Sequence, residues 1–243
     1  MFEPLPGSRM RRRIYLMRHG EVSYFDNEGV QVNADMVNLT DVGRAQAAAM
    51  GEFLADVPFD TAYCSGLPRT EQTARGALGG RELDLQVRPA LREISAGDMS
   101  GMTKEEVKRD FIHVFARLGE PGLIYGRGEV IRDFADRVIG DIAKLALEPG
   151  WTTVLIAAHE VTNRCILSWA ANADLACMTG FEQDPGCLNI IDIDIDLRGK
   201  EPEIARRFIK TMNLTPLNFS KLDNNLATNE QMFALRKKQM GAA

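Results

Sequence analysis

The sequence has few of the residues that bind metal ions, with three histidines and four cysteines in 243 residues. Cys64, Cys165, Cys177 and Cys187 lie far apart and form no C-x-x-C pair, whereas zinc sites usually space their ligands closely. We therefore expect no metal site. We also expect free and mostly buried thiols, as is usual in a reducing compartment.

The sequence also lacks long apolar runs and long blocks of like charge. No segment approaches the roughly 20 apolar residues of a transmembrane helix. The Arg11-Arg12-Arg13 run is not followed by the apolar stretch and cleavage site of a signal peptide. The formal charge is −5, whereas binding to nucleic acid needs clustered Lys and Arg. We expect a cytoplasmic protein whose partner is neither nucleic acid nor membrane.

Apolar runs alternate along the chain with patterns of period near 3.6. The runs predict strands at 13–17, 59–64, 85–87 and 152–158, and the periodic patterns predict helices at 40–56, 70–78, 129–147 and 161–171. Residues 188–195 alternate apolar side chains with Asp and Asn, which predicts a half-exposed strand, and 205–212 predict a last strand. This order indicates an α/β three-layer sandwich, in which a mostly parallel central sheet is flanked by helices.

The segment from about 94 to 150 contains no predicted strand, unlike the rest of the chain up to residue 212, and we predict that it is a helical lid insertion. Thr103 and Glu106 form a capping-box pattern within it. Its arginines are candidate contacts to a ligand, although such side chains are more often solvated; they are Arg109, Arg117, Arg127 and Arg132. The chain length favours a single domain over 1–243. Residues 213–243 form a polar tail with a predicted short helix at 229–238.

Polar side chains follow three of the predicted strands. Arg18 and His19 follow the first, Ser65 and Arg69 the second, and His159 the strand at 152–158. Ligands of parallel sheets bind beyond the carboxyl ends of the strands. A phosphoryl group in transfer needs fixed cations around its oxygens and an in-line nucleophile, and an arginine beside a histidine can supply both.

Five motifs in one order resemble those of the histidine phosphatase superfamily, the group that contains cofactor-dependent phosphoglycerate mutase. They are LMRHGE at 16–21, LTDVGRAQA at 39–47, SGLPRTEQTA at 65–74, LRE at 91–93 with GDMSG at 97–101, and AH at 158–159. The resemblance spans about residues 13 to 195. It implies a phosphoglycerate-mutase-like fold and chemistry on phosphate esters without a metal or an organic cofactor.

The resemblance also assigns roles to particular residues. His19 would become a transient phosphohistidine, while Arg18, Arg69 and His159 would bind the phosphoryl oxygens. Glu93 would give a proton to the leaving alcohol, a contribution of roughly 10²–10⁴ in rate. To do so near neutrality, the pKa of Glu93 would have to lie above its ordinary value of about 4.3. The catalytic candidates are therefore His19, Glu93 and His159.

The main departure from the family pattern is Glu160, which stands where the family has glycine. Its carboxylate could point away from the pocket and complement the helix dipole, worth roughly 0.3–1 kcal/mol. It could instead face the phosphate at a cost on the order of 3 kcal/mol. We include Glu160 among the substrate-binding candidates. The loop at 21–38 also lacks the expected asparagine, for which Asn27 or Asn33 could substitute.

The sequence favours hydrolysis over phosphoryl transfer between substrates. The mutases carry a Glu-Arg-x-Tyr-Gly segment that recognises phosphoglycerate, and this chain has Ile-Ser-Ala-Gly-Asp at 94–98. We predict a phosphomonoester hydrolase that acts on a small-molecule phosphate ester. The alternatives are a mutase-type phosphotransferase and a phosphate-ester-binding module weakened by Glu160. A homodimer is left open.

Overall fold

A computed structural model describes residues 10–26, 28, 30 and 32–222. Its six strands form one sheet with the order β3-β2-β4-β1-β5-β6. They are β1 (Arg11–Arg18), β2 (Thr61–Cys64), β3 (Leu85–Val87), β4 (Thr153–Ala158), β5 (Leu188–Asp196) and β6 (Glu203–Leu214). Strands β1 to β4 are parallel, while β5 runs antiparallel to β1 and β6 antiparallel to β5. The predicted α/β fold with a mostly parallel sheet is confirmed.

Helices cover both faces of this sheet. They are α1 (Asp41–Phe53), α2 (Pro68–Leu78), α4 (Ile131–Leu147) and α5 (Glu160–Ala170), while the short α3 (Lys104–Val107) lies between β3 and α4 and has no buried residue. Successive side chains of a strand point to opposite faces. Tyr15 and Met17 of β1 accordingly pack in the cluster that includes residues of α1 and α2, whereas Ile14 and Leu16 pack in the one that includes residues of α4 and α5. The sandwich therefore has an apolar layer on each side of the sheet.

Helix α4 belongs to this covering layer, so the predicted lid boundary at 150 was too far along the chain. Its buried Phe134, Val138 and Ile142 lie in the same apolar cluster as Val154 of β4. The segment between β3 and α4 carries the short α3 with its predicted capping box, one π-helical turn and one 3-10 turn. Its action as a lid, like the assignment of 1–243 to a single domain, stays a prediction.

Strand β5 is buried rather than half-exposed, which corrects the expectation from its Asp and Asn residues. Asp192 and Asp194 are fully buried between neighbouring strands. Arg13 of β1 donates to Asp192 at 2.6 and 2.8 Å, and Arg11 donates to Asp194 at 2.7 Å. Buried charges are tolerated when they are paired and hydrogen-bonded, so alternation with acidic residues did not indicate a solvent-facing side here.

The C-terminal boundary also differs from the prediction. Strand β6 continues to Leu214, and a 3-10 turn follows at Pro216–Asn218, so the proposed tail begins inside the sheet. The predicted helix at 229–238 lies outside the described residues.

The four cysteines are free, and three of them are buried, as predicted. In the part of the chain that the structure describes, no helix has the length and apolar character needed to cross a bilayer. Across the same residues, no group of three or more His, Cys, Asp and Glu side chains is arranged to hold a metal ion.

Candidate active site

Two histidines meet beyond one edge of the sheet. His19 follows β1 and His159 follows β4, and these two strands are parallel neighbours with Arg18 opposite Ala158. The two imidazole rings lie edge to face, with centroids 5.3 Å apart. Both side chains are buried. The structure thus brings together the two histidines that the motifs single out.

The His19 ring has a defined tautomer. Its Nδ1 lies 2.8 Å from the carbonyl oxygen of Gly20, which can only accept, so Nδ1 carries the hydrogen. The other ring nitrogen, Nε2, then keeps its lone pair. Burial lowers the pKa of His19 well below its usual value, and the charges of Arg18 and Arg69 lower it further. A neutral imidazole with a free nitrogen is the form that attacks phosphorus.

Two glycines allow the backbone after His19 to pass against the start of α1. A Cβ on Gly20 would lie 2.5 Å from the Gly43 carbonyl oxygen, and one on Gly43 would lie 2.2 Å from the Glu21 oxygen. Gly20 also donates its N–H to Thr73 Oγ1 of α2 at 3.0 Å. The motifs around residues 20, 43 and 73 therefore meet in space and hold the turn that carries His19.

A chain of hydroxyl groups orients His159. Its Nε2 lies 2.8 Å from Ser65 Oγ, which lies 2.9 Å from Thr70 Oγ1. The Thr70 hydroxyl donates to the Leu67 oxygen at 2.8 Å, so Ser65 donates to Thr70 and Nε2–H of His159 donates to Ser65. Burial lowers the pKa of His159 well below its usual value, followed by the effects of His19 and the arginines. Its buried Nδ1 has no partner among the described residues.

Two buried arginines supply positive charge beside the histidines. Arg18 donates to the Gln183 oxygen at 2.5 Å, and Arg69 donates to the Ala34 oxygen at 2.6 Å. Within the described residues, the buried Nε of Arg69 has no partner. Both guanidinium groups lower the pKa values of His19 and His159, which places all four side chains in one region. The arrangement suits an anion with several oxygens.

Glu93 lies at the N-terminus of α5. Its carboxyl group accepts from the Val161 N–H at 2.9 Å and from the Thr162 N–H at 3.0 Å. Burial raises the pKa of Glu93, and the charge of Glu160 raises it further against the lowering effect of these backbone bonds. A raised pKa is what a general acid requires to carry its proton near neutrality.

Glu160 does not point away from the site. Its Oε2 lies 3.2 Å from Nη2 of Arg18, and its Oε1 lies 2.9 Å from Nη2 of Arg164. The Glu160 side chain is 12% exposed. The carboxylate therefore contacts the guanidinium group that the motifs assign to phosphate, and Arg164 compensates its charge from one helical turn further along α5.

Sequence reasoning missed several neighbours of the site. Arg164 could have been found, because it lies four residues after Glu160 on one helix face. Tyr24 and Tyr125 could not, since both lie in irregular segments. Burial raises the pKa of each of these phenols, and the charges of Glu93 and Glu160 also raise both, while those of Arg69 and Arg18 lower the pKa of Tyr24.

The two asparagines proposed for the loop after β1 have different outcomes. Asn33 accepts from the Asp35 N–H at 3.0 Å and caps the 3-10 turn Ala34–Met36, whose first carbonyl holds Arg69. Asn27 lies outside the described residues.

Comparisons with known proteins identify the relatives of this chain. Residues 14–201 match the model of the histidine phosphatase superfamily (branch 1). The adenosylcobalamin/alpha-ribazole phosphatase of Escherichia coli K12 is 28% identical over 184 residues, which cover 75% of this chain and 90% of that protein. A 2,3-bisphosphoglycerate-dependent phosphoglycerate mutase of Bartonella henselae is 33% identical over 174 residues, covering 65% of this chain and 81% of the mutase.

A solved structure shares the fold over most of its length. The alpha-ribazole phosphatase from Shigella flexneri matches with a TM-score of 0.65 and 26% identity, covering 83% of this chain and 96% of that one. Together with the family match, this shows that the chain belongs to branch 1 of the histidine phosphatase superfamily and is an enzyme that acts on phosphate esters.

Proposed function

We propose that this chain is a phosphomonoester hydrolase that works through a phosphohistidine on His19. One observation carries the proposal: the neutral His19 ring has its Nδ1 bound to a carbonyl oxygen and its Nε2 lone pair available, beside two buried arginines. The Nδ1 of His159 has no partner among the described residues, and it can donate to a phosphoryl oxygen once the charge of the bound phosphoryl group has raised the pKa of this imidazole and the ring has gained a proton. The proposed partner is a small-molecule phosphate ester.

The first step transfers the phosphoryl group to the enzyme. The Nε2 lone pair of His19 attacks phosphorus, and the bond from phosphorus to the ester oxygen breaks. Arg18, Arg69 and His159 bind the three equatorial oxygens, on which charge accumulates. Glu93, whose pKa is raised by burial, gives its proton to the departing oxygen, because an alkoxide is a poor leaving group.

The second step releases phosphate. A water molecule attacks phosphorus of the phosphohistidine, the N–P bond breaks, and His19 recovers its neutral ring. Glu93, now ionised, accepts the proton of this water and is restored as the acid. The scheme uses side chains of this chain only and needs no metal or organic cofactor.

Hydrolysis is preferred over mutase chemistry because of residues 94–98. Ser95 donates its N–H to Glu129 at 2.8 Å, so this stretch is tied to the segment before α4 and carries no basic side chain for a second acidic group of a substrate. A weakened binding module is the second candidate, favoured by the contact between Glu160 and Arg18. The cytoplasmic location stays a prediction, and the question of a homodimer stays open.

Hydrolysis of p-nitrophenyl phosphate with and without chelator tests the proposal. We expect chelator-resistant release of nitrophenol that falls at least about 10³-fold in His19→Ala, because the nucleophile is lost. His113→Ala is the matched control, since this imidazole is exposed on the segment before α4. Rapid quenching with a labelled ester should also trap an acid-labile phosphoenzyme.

Three results would contradict the proposal. The first is release that persists in His19→Ala. The second is the absence of release from a panel of phosphate esters between pH 5 and 8, with phosphate still bound, which would favour the binding module. The third is transfer of the phosphoryl group to a second substrate hydroxyl instead of water, which would favour the mutase.

A further inference from the structure

Three aromatic side chains form a cluster on the segment between β3 and α4. The Tyr125 ring lies 5.0 Å from that of Phe111, tilted by 38°, and 5.6 Å from that of Phe115, nearly parallel at 29°. All three side chains are half-buried. We call Phe111, Phe115 and Tyr125 the aromatic wall. Because the rings retain exposed surface, the wall can still contact another flat group.

The backbone that carries this wall is irregular. The chain passes from α3 through a π-helical turn at Lys108–Ile112 to a 3-10 turn at Val114–Arg117. Phe111 lies in the π-helical turn. Such turns are rare and occur frequently at functional sites.

Backbone hydrogen bonds tie the wall to the acid of the site. Tyr125 donates its N–H to the Glu129 oxygen at 3.0 Å, and Glu129 donates its N–H to the Ser95 oxygen at 2.9 Å. Ser95 follows Glu93 by two residues. The wall therefore has a fixed position relative to the group that protonates the leaving oxygen.

The phenols of Tyr24 and Tyr125 respond to the charges of the carboxylates at the site. Burial raises the pKa values of Tyr24 and Tyr125, and the charges of Glu93 and Glu160 act on both. Neither hydroxyl makes a hydrogen bond within the part of the chain that the structure describes. Both are therefore available to polar atoms of a ligand that leaves next to Glu93.

Two of the arginines near the wall in sequence are paired with carboxylates, whereas Arg127, two residues after Tyr125, donates to the Ser100 oxygen at 3.1 Å. Arg109 donates to both carboxylate oxygens of Asp110 at 2.8 and 2.6 Å, and Arg117 donates to Asp110 at 3.0 Å and to Glu120 at 2.6 Å. Their charges are compensated on the protein. The segment thus offers a ligand rings and hydroxyls beside two arginines whose charges are already balanced.

We propose that the aromatic wall is a leaving-group subsite for a planar aromatic or heteroaromatic ring attached to the phosphate ester. The inference rests on the proposed hydrolysis and names its substrate class. A ring that packs against one aromatic side chain gains a few-fold to about tenfold in affinity beyond its buried area. Two or more such contacts predict a preference of at least about tenfold for an aromatic over a saturated leaving group.

Benzyl phosphate and cyclohexylmethyl phosphate form a matched pair of primary esters with rings of similar size. We expect kcat/KM for the benzyl ester to be at least about tenfold higher, and this ratio to approach one in Tyr125→Leu combined with Phe111→Leu. Tyr125→Phe keeps the ring and should keep the ratio. Phe53→Leu, which removes a ring 54% exposed on α1, is the control.

The dissociation constants of benzylphosphonate and cyclohexylmethylphosphonate give a readout that does not require turnover. Equal kcat/KM values and equal dissociation constants in the wild type would overturn the subsite, as would a ratio that survives the double replacement. Hydrolysis that persists in His19→Ala would instead reject the proposed function. Tighter binding of benzylphosphonate than of the saturated phosphonate, together with no hydrolysis of benzyl phosphate, would keep the subsite and reject the proposed hydrolysis. The two failures are therefore distinguishable.

Discussion

Replacing Glu160 by glutamine should tighten the binding of inorganic phosphate. The Glu160 carboxylate lies 3.2 Å from the Arg18 guanidinium, which we propose as a ligand of the phosphoryl oxygens. A phosphate bound to the same guanidinium lies close to this carboxylate, so two anions share one cation. Glutamine keeps the size of the side chain and removes its charge.

The size of the effect follows from Coulomb's law. A carboxylate about 5 Å from phosphorus, at an effective dielectric constant near 20, opposes each phosphoryl charge by about 3 kcal/mol, or about two decades in Kd. Arg164 lies 2.9 Å from the far oxygen of Glu160 and remains in Glu160→Gln. Arg164→Met should therefore have the opposite effect and weaken phosphate binding by about tenfold to thirtyfold, for a cation about 8 Å from phosphorus.

Titration calorimetry with phosphate at pH 7 measures these changes, and the melting temperature of each variant checks that it folds. Glu71→Gln is the matched control, since it removes a carboxylate from an exposed pair with Arg75 on α2. Combining Glu160→Gln with Arg164→Met closes a double-mutant cycle for the pair. A Kd for phosphate that changes less than about twofold in Glu160→Gln would refute the reasoning, because the assumed distance at this dielectric constant predicts far more.

Further predictions concern the protonation and positioning of the site. Glu160→Gln removes a charge that raises the pKa of Glu93, so the loss of kcat with rising pH should begin at lower pH, as a pH–rate profile would show. Ser65→Ala removes the partner of His159 and should lower kcat about tenfold, for a hydrogen bond worth about 1–1.5 kcal/mol; an unchanged kcat would contradict the proposed orientation. Gly43→Ala places a Cβ 2.2 Å from a backbone oxygen and should lower the free energy of unfolding by about 1–3 kcal/mol in urea, whereas Gly140→Ala, with open space, should not. Because folding lowers the pKa values of His19 and His159, the unfolded chain binds more protons than the folded chain below about pH 6.5. The free energy of unfolding should therefore decrease as the pH decreases, by up to about 1.4 kcal/mol per pH unit for each histidine. Thermal unfolding from pH 7 to 5 should show a shallower slope in His19→Asn.

The acidic residues of the chain illustrate what one-dimensional patterns can and cannot predict. Asp192 and Asp194 suggested a solvent-facing side of β5, because isolated acids are rarely buried. Their partners, Arg13 and Arg11, lie on β1 and are about 180 residues away along the chain. No local pattern contains this pairing, because it depends on the neighbouring strands of the folded sheet.

The sequence by itself determined the elements and motifs of this protein. Periodicity and caps are local properties, and the helices and strands predicted on the described residues accordingly occur within a few residues of their predicted bounds. The placement of Arg18, His19 and His159 after strands was equally readable, since parallel strands end at one edge of a sheet. Only the tertiary structure decided which way Glu160 points and brought the three rings of the aromatic wall together. Those features depend on contacts between residues far apart in sequence, whose distances and charges exist only once the chain has folded.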